Sequence, residues 1–309
     1  MSDYKQVIRF YATKNNLNGY NHIDELLNYV NVICENLNVK CNKFAYDYLV
    51  NNKEVTKFLK LTDKNLEKLM KVESSDITSL SFYAGEESHS PYIYPDFILD
   101  LSISNVEKWH TYATVIIDPQ IIKIDLGDII FQMDLLKKLN FTIDYGISFP
   151  MKDEKEPSYF LLGVKTPKMD KYEEQMVNIL ARNSRTFRNV NKVWGVFKVN
   201  IIRNDLLSKE VIEELRSFLT SENIKVYGEH TIISLPLSDE EYMLRDSSIL
   251  HAVEALFERN NLLMIEEEVP EEVKLERLQK LTDFQNKLLK EGKGHYVDGP
   301  DGKKVFVNF

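Results

Sequence analysis

TYATVIID (residues 111–118), DIIFQMDLLKKLN (128–140), FTIDYGISF (141–149), SYFLLGVKT (158–166) and KYEEQMVNILARN (171–183) follow one another in the middle of the chain. The same order then returns as KVWGVFKVNI (192–201), SKEVIEELRSFLTSEN (208–223), IKVYG (224–228), TIISLPL (231–237) and EEYMLRDSSILHAVEALFERN (240–260). Apolar residues recur at period two in the strand-like pieces and near 3.6 in the helix-like ones. Each half therefore reads strand–helix–strand–strand–helix, over residues 111–190 and 193–260. Val211, Ile212, Leu215, Phe218 and Leu219 form one apolar stripe, and Ile249, Val253, Leu256 and Phe257 form another. Ser238 with Glu241 has the spacing of a capping box, in which side chain and backbone satisfy each other's free donors. Helices apolar on one side must cover a sheet, so the expected fold class is α+β, built as a two-layer sandwich with an internal repeat.

Outward from this core, residues 76–110 carry the β-branched and aromatic enrichment of strands in SLSFYAGEE (79–87) and YIYPDFILDLSI (92–103). Pro95 in the second run suggests an edge or a bulge, because proline donates no ladder hydrogen bond. Residues 1–75 read as a helical N-terminal region. Leu26, Leu27, Val30, Ile33 and Cys34 share a face, Phe44, Tyr48 and Leu49 continue it, and TDKNLEKLMKV (62–72) looks like a further short helix. The domain reading is thus 1–75 helical, 76–262 α+β, and 263–309 an acidic linker, a helix over 271–291 and a terminal hairpin. The hairpin is signalled by D-G-P-D-G (298–302) between alternating stretches.

The 309 residues hold 39 Lys+Arg and 48 Asp+Glu, a net charge of −9, with 43% apolar residues. This is ordinary globular composition and excludes a disordered or fibrous chain. No run approaches the roughly 18 apolar residues of a membrane span, and charges in MSDYKQVIRF occupy the place of a secretory apolar core. Cys34 and Cys41 are too few for a disulfide framework. A cytoplasmic setting without membrane association is expected. The Lys-, Asn- and Ile-heavy bias is common in AT-rich genomes, such as those of low-GC bacteria and their phages.

Reactive motifs are not found. The 11 glycines form no phosphate loop, the six histidines have no metal-ligand spacing, and no nucleophile elbow occurs. No catalytic residue, metal or cofactor is expected. A nuclease-like trace, Asp96 followed by Asp118, Gln120 and Lys123, departs from the acid-x-lysine order that would hold a divalent cation.

Charge placement says more. Residues 175–204 contain no acid but six bases, among them Arg182, Arg185, Arg188 and Lys192. Residues 239–272 contain eleven acids, including Glu266, Glu267, Glu268, Glu271 and Glu272, against Arg245 and Arg259. Arginine forks suit carboxylates, and opposed fields steer association. The four bases Arg182, Arg185, Arg188 and Lys192 and the five acids Glu266, Glu267, Glu268, Glu271 and Glu272 are the candidate partner-binding residues. The partner is expected to be another protein or a second copy of this chain, and pI 5.3 argues against direct nucleic-acid binding. The functional expectation is a non-catalytic protein-binding protein, an inhibitor or immunity factor from a mobile element. The doubled topology of 111–260 is also similar to effector-binding domains of bacterial drug-sensing regulators, which implies a small-ligand sensor as the alternative. A divergent metal-dependent nuclease is the third reading.

Overall fold

The computed structural model describes residues 4–14, 23–51, 53–73, 76–84, 97–102, 111–120, 122–152, 169–185 and 191–264. In the C-terminal segment it describes 279, 282, 283, 286, 287, 289, 290, 294–298 and 304–308. The chain divides into two compact units, Met1–Met264 and Ile265–Phe309.

The first unit is organised by one sheet. Its strands are β1 (Tyr4–Lys14), β2 (Lys43–Val50), β3 (Lys53–Lys60), β4 (Ile77–Ala84), β5 (Phe97–Ser102), β6 (Thr111–Ile117), β7 (Phe141–Lys152), β8 (Val199–Arg203), β9 (Ile224–Tyr227) and β10 (His230–Ser234). They lie side by side in the order β3-β2-β4-β5-β6-β1-β7-β8-β10-β9, each neighbouring pair antiparallel. Seven α-helices accompany them among the described residues: α1 (Ile23–Asn36), α2 (Asp63–Leu69), α3 (Leu126–Lys138), α4 (Lys171–Arg185), α5 (Lys209–Phe218), α6 (Asp239–Leu244) and α7 (Ser248–Arg259).

The mixed α+β class is as expected, but the N-terminal region is not helical. It opens with β1, and Phe44, Tyr48 and Leu49 lie in β2 rather than on a helix. The spacing of those three fits a helical face, yet the rings of Phe44, Tyr46 and Tyr48 follow one another at period two, with successive centroids 6.0 and 5.5 Å apart. That is the geometry of one pleated surface. Further differences concern the repeat. The residues 158–166 expected as a strand lie outside the described residues, as do 85–96. The strand expected over 192–201 is confined to Val199–Arg203, and Val193 instead makes an isolated bridge with Leu263.

Two helical connections organise the sheet. Strands β6 and β7 are parallel to each other with β1 between them, and α3 connects them. Strands β8 and β9 are likewise parallel with β10 between them, and α5 connects them. Both are split β–α–β units. Strand β1 runs through α1 to the parallel strand β2 as a third crossover. The two split units step the same way along the sheet but point in opposite strand directions, so the right-handed crossover rule places α3 and α5 on opposite faces. The same rule puts α1 with α3, because β1 to β2 reverses both direction and step.

The core obeys this. One apolar cluster joins α1, α2 and α3 to Ile8, Phe10, Phe82, Leu99 and Val115. The other joins α4 to α7 to Val7, Tyr11, Tyr145, Ile147 and Phe149. Helices therefore cover both faces, giving three layers where the sequence suggested two. The near-continuous apolar run of β1 is the signature of a strand buried on both sides. In the second unit, β11 (Gly294–Asp298) and β12 (Lys304–Asn308) form the expected antiparallel hairpin.

Candidate functional site

Among the described residues, two open sites and one buried polar row stand out. The first is a groove of about 490 Å³ between α1 and α2. Leu27, Leu66 and Met70 give it an apolar lining, and Asp24, Asp63 and Glu67 stand on it with Lys71. Only Leu69 of α2 is buried beneath, although Leu66 and Leu69 are three apart. Met70 is 44% exposed, one of a handful of large apolar side chains left open.

The second is a polar pocket of about 640 Å³ lined by Thr13, Thr142, Ile143, Asp144, Arg203, Asn204, Asp205, Gly228 and Glu229. It lies on the seam between the two split units, where β7 meets β8. A β-bulge builds it: the β1–β7 register jumps from Tyr11↔Tyr145 to Ala12↔Ile143, leaving Asp144 as the extra residue. Bulges re-aim side chains in this way, and Asp144 accepts a hydrogen bond from the Thr13 hydroxyl at 2.7 Å. Arg203 is engaged by Asp205 through two donors. Asn204 is held on both ends, donating to the Gly228 carbonyl (3.0 Å) and accepting from the Thr231 hydroxyl (2.8 Å). Beside the pocket, His230 is buried with Nε2 2.9 Å from the Ile143 carbonyl. Its Nδ1 has no partner among the described residues. Burial pushes the His230 pKa below its ordinary value, the effect of the Ile143 contact being the smaller and opposite one.

The third is a polar row on the sheet itself. Ser81, Asp100, Thr114 and Arg9 are direct cross-strand partners on β4, β5, β6 and β1. The Ser81 hydroxyl donates to Asp100 at 2.5 Å, and Arg9 Nε donates to Thr114 at 2.9 Å. The Arg9 guanidinium also lies over the Tyr112 ring at 4.1 Å. Burial raises the Asp100 carboxyl pKa, with Ser81 and Arg9 pulling the other way.

The residues singled out by charge fare differently. Arg182 and Arg185 lie in the last turn of α4, and their side chains fall outside the described set. Arg188, Glu266, Glu267, Glu268, Glu271 and Glu272 lie outside the described residues. Lys192 donates to the Asn261 carbonyl. Lys198 forms an ion pair with Asp239, which joins the basic segment to the acidic one within the chain. Arg245 pairs with Glu254, and Arg259 with Glu214. Glu241 closes the capping box on Ser238, receiving the Ser238 N–H at 2.7 Å while Glu241 N–H donates to the Ser238 hydroxyl at 3.1 Å.

Of the nuclease-like trace, Asp96 lies outside the described residues, and Asp118 accepts the Gln120 N–H at 2.8 Å in a turn. Among the described residues, no group of three His, Cys, Asp or Glu is placed to hold a metal ion, and no helix is long and apolar enough to cross a membrane.

The groove and the pocket were both missed by sequence reasoning. For the groove the available signal was Leu66 and Met70, an i, i+4 pair competing with Leu69 for the same core. For Asp144 there was none, since a bulge leaves no periodic trace. No family model matches the chain, and no curated protein does. Among solved structures, the Pseudomonas aeruginosa T6SS protein PA0821 superposes with a TM-score of 0.46 at 12% sequence identity, over 81% of this chain and 73% of that one.

Proposed function

We propose that this chain is a non-catalytic protein-binding protein, an inhibitor of the anti-defence or immunity type from a phage or other mobile element. It docks its target on the α1–α2 groove. The observation that carries this reading is the groove, where Met70 is exposed beside the half-buried Leu27 and Leu66, between two helices and under a carboxylate-rich rim. Apolar surface of this kind yields about 25 cal/mol per Å² when a partner covers it. Three carboxylates against Lys71 select a partner segment that flanks its apolar side chains with basic ones. The AT-rich compositional bias supports the mobile-element setting.

Affinity purification from the native host or infected cell, followed by reconstitution from pure components, tests the reading. The double substitution Leu66→Asp, Met70→Asp should weaken the reconstituted complex by at least about tenfold, as loss of buried anchors does. Triple charge reversal at Arg182, Arg185 and Arg188 should change it little. A complex that tolerates the groove variant and fails with the arginine variant moves docking to residues 182–203 and overturns the groove assignment.

The seam pocket favours a second reading, a small-ligand sensor. Its volume falls in the range of ligand sites, and Asp144 and Glu229 leave it negative once Arg203 is paired, so the ligand would be cationic. Saturable calorimetric binding of an organic polyamine, lost in Asp144→Asn, would support this reading; heat unchanged by that substitution would remove it.

A further inference from the structure

Cys34 and Cys41 are brought together by the way α1 ends. Asn38 adopts a left-handed conformation (φ 51°). Its N–H donates to the Glu35 carbonyl at 3.1 Å, and the Val39 N–H donates to the Cys34 carbonyl at 2.8 Å. These are the two bonds of a Schellman turn, in which asparagine takes the place that glycine usually fills. The turn reverses the chain, so Cys41, seven residues on, returns to the last turn of the helix. The two sulfurs stand 3.5 Å apart. Both thiols are free and half-buried, so small reagents can reach them.

We propose that Cys34 and Cys41 form a modification site, a thiol pair that hydroperoxides convert to an intramolecular disulfide. The thiolate of Cys34 attacks one peroxide oxygen, breaking the O–O bond; that oxygen stays on sulfur as the sulfenic acid, and the other leaves as hydroxide, which takes a proton to become water. The Cys41 sulfur then attacks the Cys34 sulfur and displaces the hydroxyl, which leaves as a second water with the Cys41 proton. Two thiols lose two electrons and the peroxide is reduced. Either sulfur can donate in the contact between them; with the Cys41 S–H as donor, the bond lowers the Cys34 pKa and raises that of Cys41, which sets the order of attack. Only about 1.5 Å of approach separates the pair from the S–S bond length of ~2.05 Å. The product would fasten the end of α1, whose first turns line the groove, to the residue two before β2.

Intact-mass measurement and thiol titration before and after one equivalent of hydrogen peroxide test the proposal. The expected result is loss of two hydrogens and of both titratable thiols in the monomer, reversed by dithiothreitol. In Cys41→Ser, Cys34 should yield a sulfenic acid trapped by dimedone. Iodoacetamide should alkylate Cys34 at least about tenfold faster than Cys41. Two free thiols after peroxide, a disulfide between chains, or oxidation of Cys34 to the sulfinic acid with Cys41 untouched would overturn it.

Discussion

The two split units use one construction for different lengths of chain. In β8–α5–β9 the strand in the middle, β10, is supplied by the very next hairpin, with Gly228 turning at φ 56°. In β6–α3–β7 the middle strand is β1, which precedes β6 by some hundred residues. A local hairpin closes cheaply, whereas a distant strand carries a loop-closure cost that its contacts must outweigh. The distant strand is accordingly longer, and it is as deeply buried as the local one, whose His230, Thr231, Ile232 and Ile233 are at most 3% exposed. Val7, Ile8, Phe10 and Tyr11 are at most 1% exposed, and β1 runs eleven residues against four and five for β9 and β10. Non-local pairing is sustained here by burial on both faces.

The strongest way to break this contrast is at Tyr11. Its ring meets Trp194 edge-on at a centroid distance of 3.9 Å and stacks with Tyr145 at 6.4 Å, joining β1 and β7 to the segment leading into β8. Tyr11→Ala should cost about 3–5 kcal/mol by urea unfolding, in the range of large aromatic deletions. It should also unprotect β1 and β6 amides in hydrogen exchange before those of β8 and β10. Equal loss of protection in both units would mean that they unfold as one.

The second test concerns His230, the first residue of the local middle strand. Its folded pKa is depressed below 6.5 by burial. The unfolded chain therefore binds the proton first, and stability present above pH 6.5 is lost as pH falls below that value, by at most about 1.4 kcal/mol per pH unit. The difference between wild type and His230→Gln, followed from pH 7 to pH 5, should show this slope, and parallel curves would contradict it.

The smallest effect compares the caps of the two crossover helices. Asp125 accepts the Asp128 N–H at 3.0 Å while Asp128 accepts the Asp125 N–H at 3.0 Å, a reciprocal box on α3. Ser208 caps α5 with a single bond from the Val211 N–H at 3.3 Å. Asp125→Ala and Ser208→Ala should each cost about 1 kcal/mol, the former more. Thermal melts of the two variants check the order.

How much the sequence disclosed follows the same divide. Helix α5 was legible to within a few residues because it packs one stripe against one face and starts at a serine, whereas the single helix expected over 240–260 is divided into α6 and α7 by Arg245, whose left-handed backbone (φ 57°) ends the first. The terminal hairpin was legible from its turn chemistry. Strand β1 was not, since VIRFYA is apolar on both sides and gives no period. Nor could the pattern separate the buried Leu69 from Leu66 in the groove, three residues apart on the same short helix. The charge segregation was read correctly as a pattern, but Lys198 and Asp239 show part of it joined within the chain. Period reveals which residues face alike; it does not reveal whether anything lies opposite.

The central position of the first strand has a consequence for biosynthesis. At ~5–20 residues per second, β1 leaves the ribosome on the order of ten seconds before β6 and β7 exist to flank it. During that interval both of its edges are open to pairing with any extended chain nearby. Folding of the middle of the sheet has to await translation through β7, and deleting β1 would remove the piece that links its two wings.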